Sequence, residues 1–246
     1  PNKLPQAGEL AASPQWLGGE RRYESGLGLS GTPCDRRPLE LGRGHYGAGD
    51  DGRVLHIVSS REQVPYLPLP LGWSVTSLLQ AVCTASPPFN ALIDTGALVT
   101  GLTNLQVAHA LLRTGLPECD AVVFLDAHDR QMALLRHGLK VVEPAACGVA
   151  LGRRFSFYDQ VHTTGMDIEQ LLNAHAVLTL GKDMVFRDYA QGAFRLRKIG
   201  HGQRLTLFII PEVTQLIGSH MARCRGIGVS AYSAWFCGLG EADQWR

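Results

Sequence analysis

The sequence predicts an α/β protein in which a parallel-stranded sheet is covered by helices in three layers. Three observations carry that expectation. From Ala121 onward, apolar runs of strand length alternate with segments of helical period, the pattern of parallel strands joined by right-handed crossovers. The run Ala121 to Leu125 is apolar throughout, as a strand covered on both faces must be. Charged turns follow several of these runs, and open sheets bind ligands at the carboxyl ends of their strands.

The elements follow in order. Residues 1–53 are rich in Gly, Pro, Arg and Ser and have no sustained apolar period. Such a segment buries too little surface to offset its ordering entropy, so a mostly disordered arm is expected. The α/β domain is expected over 54–213, and a C-terminal helix with an irregular tail over 214–246. Val54 to Val58 reads as a first strand. Trp73 to Val82 reads as a helix with Val75, Leu78, Leu79 and Val82 on one face. Pro87 and Pro88 break the chain before a strand from Asn90 to Asp94. Asn104 reads as the N-cap of a helix through Arg113, stopped by Gly115 and Pro117. After Ala121–Leu125, the turn Asp126 to Asp129 leads into an expected helix, Arg130 to Arg136, and then a strand, Leu139 to Val142. Phe155–Tyr158, Ala176–Leu180 and Arg204–Ile210 complete the strands, and a helix is expected to contain Tyr189 to Lys198.

Composition narrows the function classes. The chain has 246 residues, 45% hydrophobic and 18% charged, enough for one substantial core in an ordinary globular protein. A formal charge of +1 gives no global attraction to nucleic acid, so such binding would need a local patch. Six scattered cysteines form no C-x-x-C pair, which argues against a zinc site and for reduced thiols in the cytoplasm or nucleus. No apolar stretch reaches the roughly 18 residues of a membrane span, and no metal or cofactor is implied. The chain begins at Pro1 without a signal-peptide pattern and reads as a piece of a longer protein.

Three sets of residues could carry chemistry. Cys147 and His162 flank the strand that begins at Phe155, with Asp159 nearby. A thiolate nucleophile needs an imidazole within hydrogen-bond reach and a group to orient it, so these are the candidate catalytic residues. Thr164, Gly165 and Asp167 lie in the turn after the same strand. Gln191 and Arg195 are four residues apart and Arg195 and Lys198 three apart, the spacing that shares a helix face and can present a guanidinium to phosphate. The third set is Asp94-Thr95-Gly96. It is similar to the active-site turn of aspartic proteases, whose chemistry needs two carboxylates sharing a proton.

The second set resembles the second RecA-like lobe of superfamily 2 helicases. There a Gly-x-Asp-Ile turn ends a strand, and a helix bearing Gln and Arg at this spacing follows one strand later. The resemblance implies nucleotide or single-stranded nucleic-acid binding through Thr164, Gly165, Asp167, Gln191, Arg195 and Lys198, with Lys198 standing where the helicase helix carries its second Arg. No G-x-x-x-x-G-K-[ST] loop occurs, so this piece is not expected to hydrolyse nucleotide alone.

Longer words extend from Ala91 to Val213: Ala-Leu-Ile-Asp-Thr-Gly-Ala-Leu at 91–98, Phe-Tyr-Asp-Gln-Val-His-Thr-Thr-Gly-Met-Asp-Ile at 157–168, and Phe-Arg-Asp-Tyr-Ala-Gln-Gly-Ala-Phe-Arg at 186–195. In these words about half the chain resembles the C-terminal region of very large eukaryotic proteins classed with the ubiquitin thioesterases. The resemblance implies cysteine-type ubiquitinyl hydrolase activity. Its implied partners are ubiquitin or a ubiquitinated protein and other domains of a larger parent chain.

Overall fold

The computed structural model describes residues 56–163 and 166–224. Two compact units divide the chain after Gln63. In the first, residues 56–59 are helical, and a turn follows in which the Gln63 amide donates to the Ser60 carbonyl at 3.1 Å. A strand was expected there, but an apolar run this short does not separate strand from helix by period. The expected disordered arm, 1–53, and the tail from 225 onward lie outside the described residues.

The second unit is α/β. Its elements are β1 (Tyr66–Pro68), α1 (Val75–Cys83), β2 (Ala91–Ile93), α2 (Asn104–Thr114), β3 (Ala121–Leu125), β4 (Gln131–Leu135), β5 (Val141–Val142), β6 (Arg154–Tyr158), β7 (His175–Leu180), α3 (Phe186–Ala193), β8 (Arg204–Ile209) and α4 (Pro211–Cys224). The eight strands form one sheet in the order β1-β8-β7-β2-β6-β3-β4-β5. Neighbours from β1 to β3 pair in parallel, and β4 pairs antiparallel with both β3 and β5. The four long strands anticipated from the sequence therefore share one sheet, with β2 between β7 and β6. Every residue of β2 and β3 is buried, as continuous apolar runs require. Crossovers β2-α2-β3 and β7-α3-β8 run in opposite directions along the sheet, so right-handedness puts α2 and α3 on opposite faces.

Local chemistry accounts for the boundaries. Ser74 caps α1, its hydroxyl accepting from the Ser77 amide at 3.2 Å. Thr103, not Asn104, caps α2: its hydroxyl accepts from the Gln106 amide at 3.2 Å and Gln106 Oε1 accepts from the Thr103 amide at 2.8 Å. Asn104 is left to tie α2 to the end of β3 through its amide and the Leu125 carbonyl, 2.8 Å.

Arg130 to Arg136 does not form the expected helix. Asp126 Oδ1 accepts from the amides of His128 and Arg130, each at 2.9 Å, and Asp129 takes φ 58°. A type I turn closed by a left-handed residue joins antiparallel strands, so the following segment pairs with β3 from Leu125↔Gln131 to Ala121↔Leu135. Arg136 then donates to the carbonyls of Leu112, Gly115, Leu116 and Cys119 at 2.8–3.0 Å, satisfying acceptors that the end of α2 leaves open. Helix α3 also ends sooner than expected. The amides of Arg195 and Leu196 donate three residues back, to Gly192 and Ala193, so Arg195 and Lys198 lie beyond the helix. Strand β1 went unread because Pro65 and Pro68 bracket its two other residues.

Two glycines bring the ends of β2 and β7 together. A Cβ on Gly181 would lie 2.5 Å from the Gly96 carbonyl oxygen, and one on Gly96 would lie 2.5 Å from the Gly181 nitrogen. Gly181→Ala is expected to lower stability by about 1–3 kcal/mol, since backbone must move to admit the methyl. Gly218→Ala in α4, where an added Cβ meets nothing within 4 Å, should raise it by about 0.5–1 kcal/mol. Urea unfolding of the two variants checks both signs.

Candidate functional site

A cavity of about 400 Å³ opens at the carboxyl ends of β2, β6 and β7. Its walls include Thr95 from the turn after β2, Gln160 and Thr163 from the segment after β6, and Lys182, Asp188 and Gln191 from the β7–α3 segment. Strands β2 and β7 are neighbours whose outgoing connections leave in opposite directions. That is the topological switch point at which open α/β sheets bind ligands.

Asp94 lies just behind the cavity wall and holds the turn that contributes Thr95, Gly96 and Ala97 to it. It is 2% exposed. Oδ1 accepts from the Leu98 amide at 3.0 Å and the Thr179 hydroxyl at 2.6 Å, and Oδ2 from the Val99 amide at 2.9 Å. Burial raises its pKa on balance, against the opposing pull of these hydrogen bonds. The carboxylate is spent on folding the 95–99 turn, which is no geometry for protease chemistry. Beside it Thr95 is 3% exposed and its Oγ1 has no hydrogen-bond partner. An added Cβ on Gly192 would fall 2.3 Å from that oxygen, so the glycine in α3 lets the helix close against the turn.

The thiol set is not assembled as a dyad. His162 is buried, with Nδ1 hydrogen-bonded to Asp159 Oδ1 and Nε2 to Asp129 Oδ1 at 2.9 Å. Burial alone would lower its pKa; the hydrogen bonds and charges of Asp129 and Asp159 outweigh burial and raise it. Cys147 is buried after β5, its Sγ 4.0 Å from the Val149 carbonyl oxygen. Asp159 does orient His162, as expected, but Asp129 occupies the nitrogen that a thiolate would need.

The phosphate set comes together only in part. Thr164 and Gly165 lie outside the described residues. Asp167 Oδ1 pairs with Arg195 Nη1 at 2.8 Å, and Oδ2 with Arg197, whose Nε is 3.0 Å away. Arg195 also donates to the carbonyls of Met166 and, at 3.3 Å, Gln191. Burial pulls its pKa down and Asp167 opposes that shift. Tyr158 braces the same turn, accepting from the Ile168 amide at 2.7 Å, its own pKa pushed up to about 12 by burial. Gln191 reaches the cavity wall, but Arg195 is 8% exposed and held by its partners. Lys198 is exposed, and its amide donates to Gln203 Oε1 at 2.6 Å.

Sequence reasoning passed over Thr95 and Lys182 as residues of one cleft. Gly-Lys-Asp directly after the apolar run 176–180 was the available signal, a glycine-led turn between strand and helix. Among the described residues no group of metal-ligating side chains and no helix long and apolar enough to cross a membrane occurs. No protein-family model, curated protein or solved structure matches this chain.

Two outcomes follow from these charge clusters. Because the His162 pKa is raised, its protonated clamp stabilises the fold below the ordinary value of 6.5 and is lost as pH rises through the folded value. Asp159→Asn should lower the His162 pKa in an NMR titration and flatten the fall of stability across neutral pH. Asp167→Asn strands a buried guanidinium and should cost on the order of 2 kcal/mol in urea unfolding.

Proposed function

We propose that this chain is the ligand-binding lobe of a ubiquitin-directed cysteine hydrolase, a deubiquitinase of the large-protein class that its 91–213 words resemble. Within that enzyme the lobe binds a small polar ligand in its switch-point cleft, and the nucleophile comes from another domain of the parent chain. One observation carries this division of labour: both ring nitrogens of His162 face carboxylates, so Cys147 is not paired with the imidazole proposed to serve it. In this reading the fold is the RecA-like, helicase C-terminal-like lobe. The parallel order of β7, β2, β6 and β3 supports that, as does the meeting of Asp167 with Arg195 from the two helicase-like motifs. With no phosphate-binding lysine loop of its own, the lobe binds without hydrolysing. Its partners are ubiquitin or a ubiquitinated protein, and its compartment the cytoplasm or nucleus.

The test uses a ubiquitin probe with a C-terminal electrophile beside an NMR titration with unmodified ubiquitin at low salt. The chain should shift with ubiquitin yet remain unlabelled by the probe. Labelling that vanishes in Cys147→Ser and falls in His162→Ala would return catalysis to this chain. No response to ubiquitin in either experiment would remove the deubiquitinase reading.

A further inference from the structure

We infer that His162 is a proton-operated latch between the β3–β4 hairpin and the segment after β6: charged, it holds both, and neutral, it keeps Asp159 and lets the hairpin go at Asp129. The latch is independent of what the cleft binds, although the segment it holds supplies Gln160, Val161 and Thr163 to the cavity wall.

The geometry requires a charged ring. His162 is buried, with Nδ1 against Asp159 Oδ1 and Nε2 2.9 Å from Asp129 Oδ1. A neutral imidazole has one N–H and one lone pair, so only the imidazolium can donate to both carboxylates. Burial favours the neutral ring, but the hydrogen bonds and charges of Asp129 and Asp159 outweigh burial and move the pKa upward. The latch is therefore closed below the ordinary value of 6.5 and opens as pH rises through the folded-state value.

Solvent access decides which bond breaks. Asp159 stands three residues before the ring in the same turn and its side chain is 25% exposed, whereas that of Asp129 is 75% exposed. Water can take over the Asp129 carboxylate at little cost, while Asp159 facing a lone pair would be left poorly solvated. The remaining proton therefore stays on Nδ1. The other charged groups nearby do not substitute for it. On the hairpin, Arg130 is committed to Asp126 at 2.7 Å and His128 is exposed; beyond β2, Asp94 feels the charge of Asp159 and is itself a carboxyl.

Both partners keep their own shape when the latch opens. Asp126 Oδ1 closes the hairpin turn, and the amides of His162 and Thr163 donate to the Asp159 and Gln160 carbonyls at 3.1 and 3.3 Å. A second tie, from Gln131 Nε2 to the Asp167 carbonyl at 2.6 Å, contains no titrating group. The hairpin tip thus swings about Gln131 while β4 stays paired with β3.

NMR of the 246-residue chain, titrated from about pH 5 to about pH 9 across the histidine range, tests the latch. Above the transition the imidazole nitrogen shifts should place the proton on Nδ1. Contacts between His162 and the Asp129 side chain should be lost while those to Asp159 remain. Nitrogen relaxation should show the backbone at 127–130 becoming more mobile, with 160–163 unchanged. Asp129→Asn, an exposed substitution whose amide suits either form of the ring, should lower the His162 pKa and leave a tip whose mobility no longer changes with pH. A proton retained on Nε2, a tip equally mobile throughout the titration, or a His162 pKa unmoved in Asp129→Asn would each overturn the latch.

Discussion

The buried carboxylate of Asp94 is the interaction on which the ligand edge of the sheet depends. Its oxygens take two amides of the turn after β2 and the hydroxyl of Thr179 in β7. That hydroxyl in turn accepts from the Gly96 amide at 3.1 Å. A short polar chain thus crosses from one strand to the next just beyond their ladder. In a low-dielectric interior such a chain is stable only when fully paired, and removing one member leaves the others exposed to the full desolvation penalty. Contact between Gly96 and Gly181 and the seat of α3 against Thr95 lie directly beside it.

Arginines expected to face a ligand serve the fold instead. Arg195 is too deeply buried to stand without a counter-charge, and Asp167 supplies one while its second oxygen engages Arg197. These pairs fix the turn after β6 against the segment after α3. His162 does similar work one turn earlier, joining the β3–β4 hairpin through Asp129 to the β6 loop through Asp159. A neighbouring residue, Thr163, forms part of the cleft. The paired charge clusters therefore stand behind the cleft wall, and Lys182, which joins no ion pair among the described residues, stands in it.

Strands buried on both faces were legible because nothing but an unbroken apolar run survives there, and β3, β6, β7 and β8 lie where those runs predict. Strand β4 was not. Met132, Ala133, Leu134 and Leu135 suit a helix as well as a strand, and what decides is the Asp126 side chain folding the preceding turn. The partnership of Asp167 with Arg195 was visible as two motifs one strand apart. Thr95 and Lys182 were not visible as neighbours, because only the parallel pairing of β2 with β7 joins them, as it joins Asp94 to Thr179 across 85 positions. Asp129 as a partner of His162 was hidden for the same reason, its hairpin having been read as the start of a helix.

The two margins of the sheet govern how anything could assemble on this unit. At one margin β1 is three residues long and ends in Pro68, with Pro65 immediately before it; at the other β5 has two residues and Pro144 follows soon after. Short margins with prolines in or near them offer few open amides to an incoming strand. Among the described residues, an extended peptide or a second copy therefore finds little main-chain ladder to extend at either margin. What the described unit exposes most widely is instead side chains on helix surfaces and connecting loops, Leu105 and Leu216 on the helices and Leu71, Val161 and Leu172 in the loops among them.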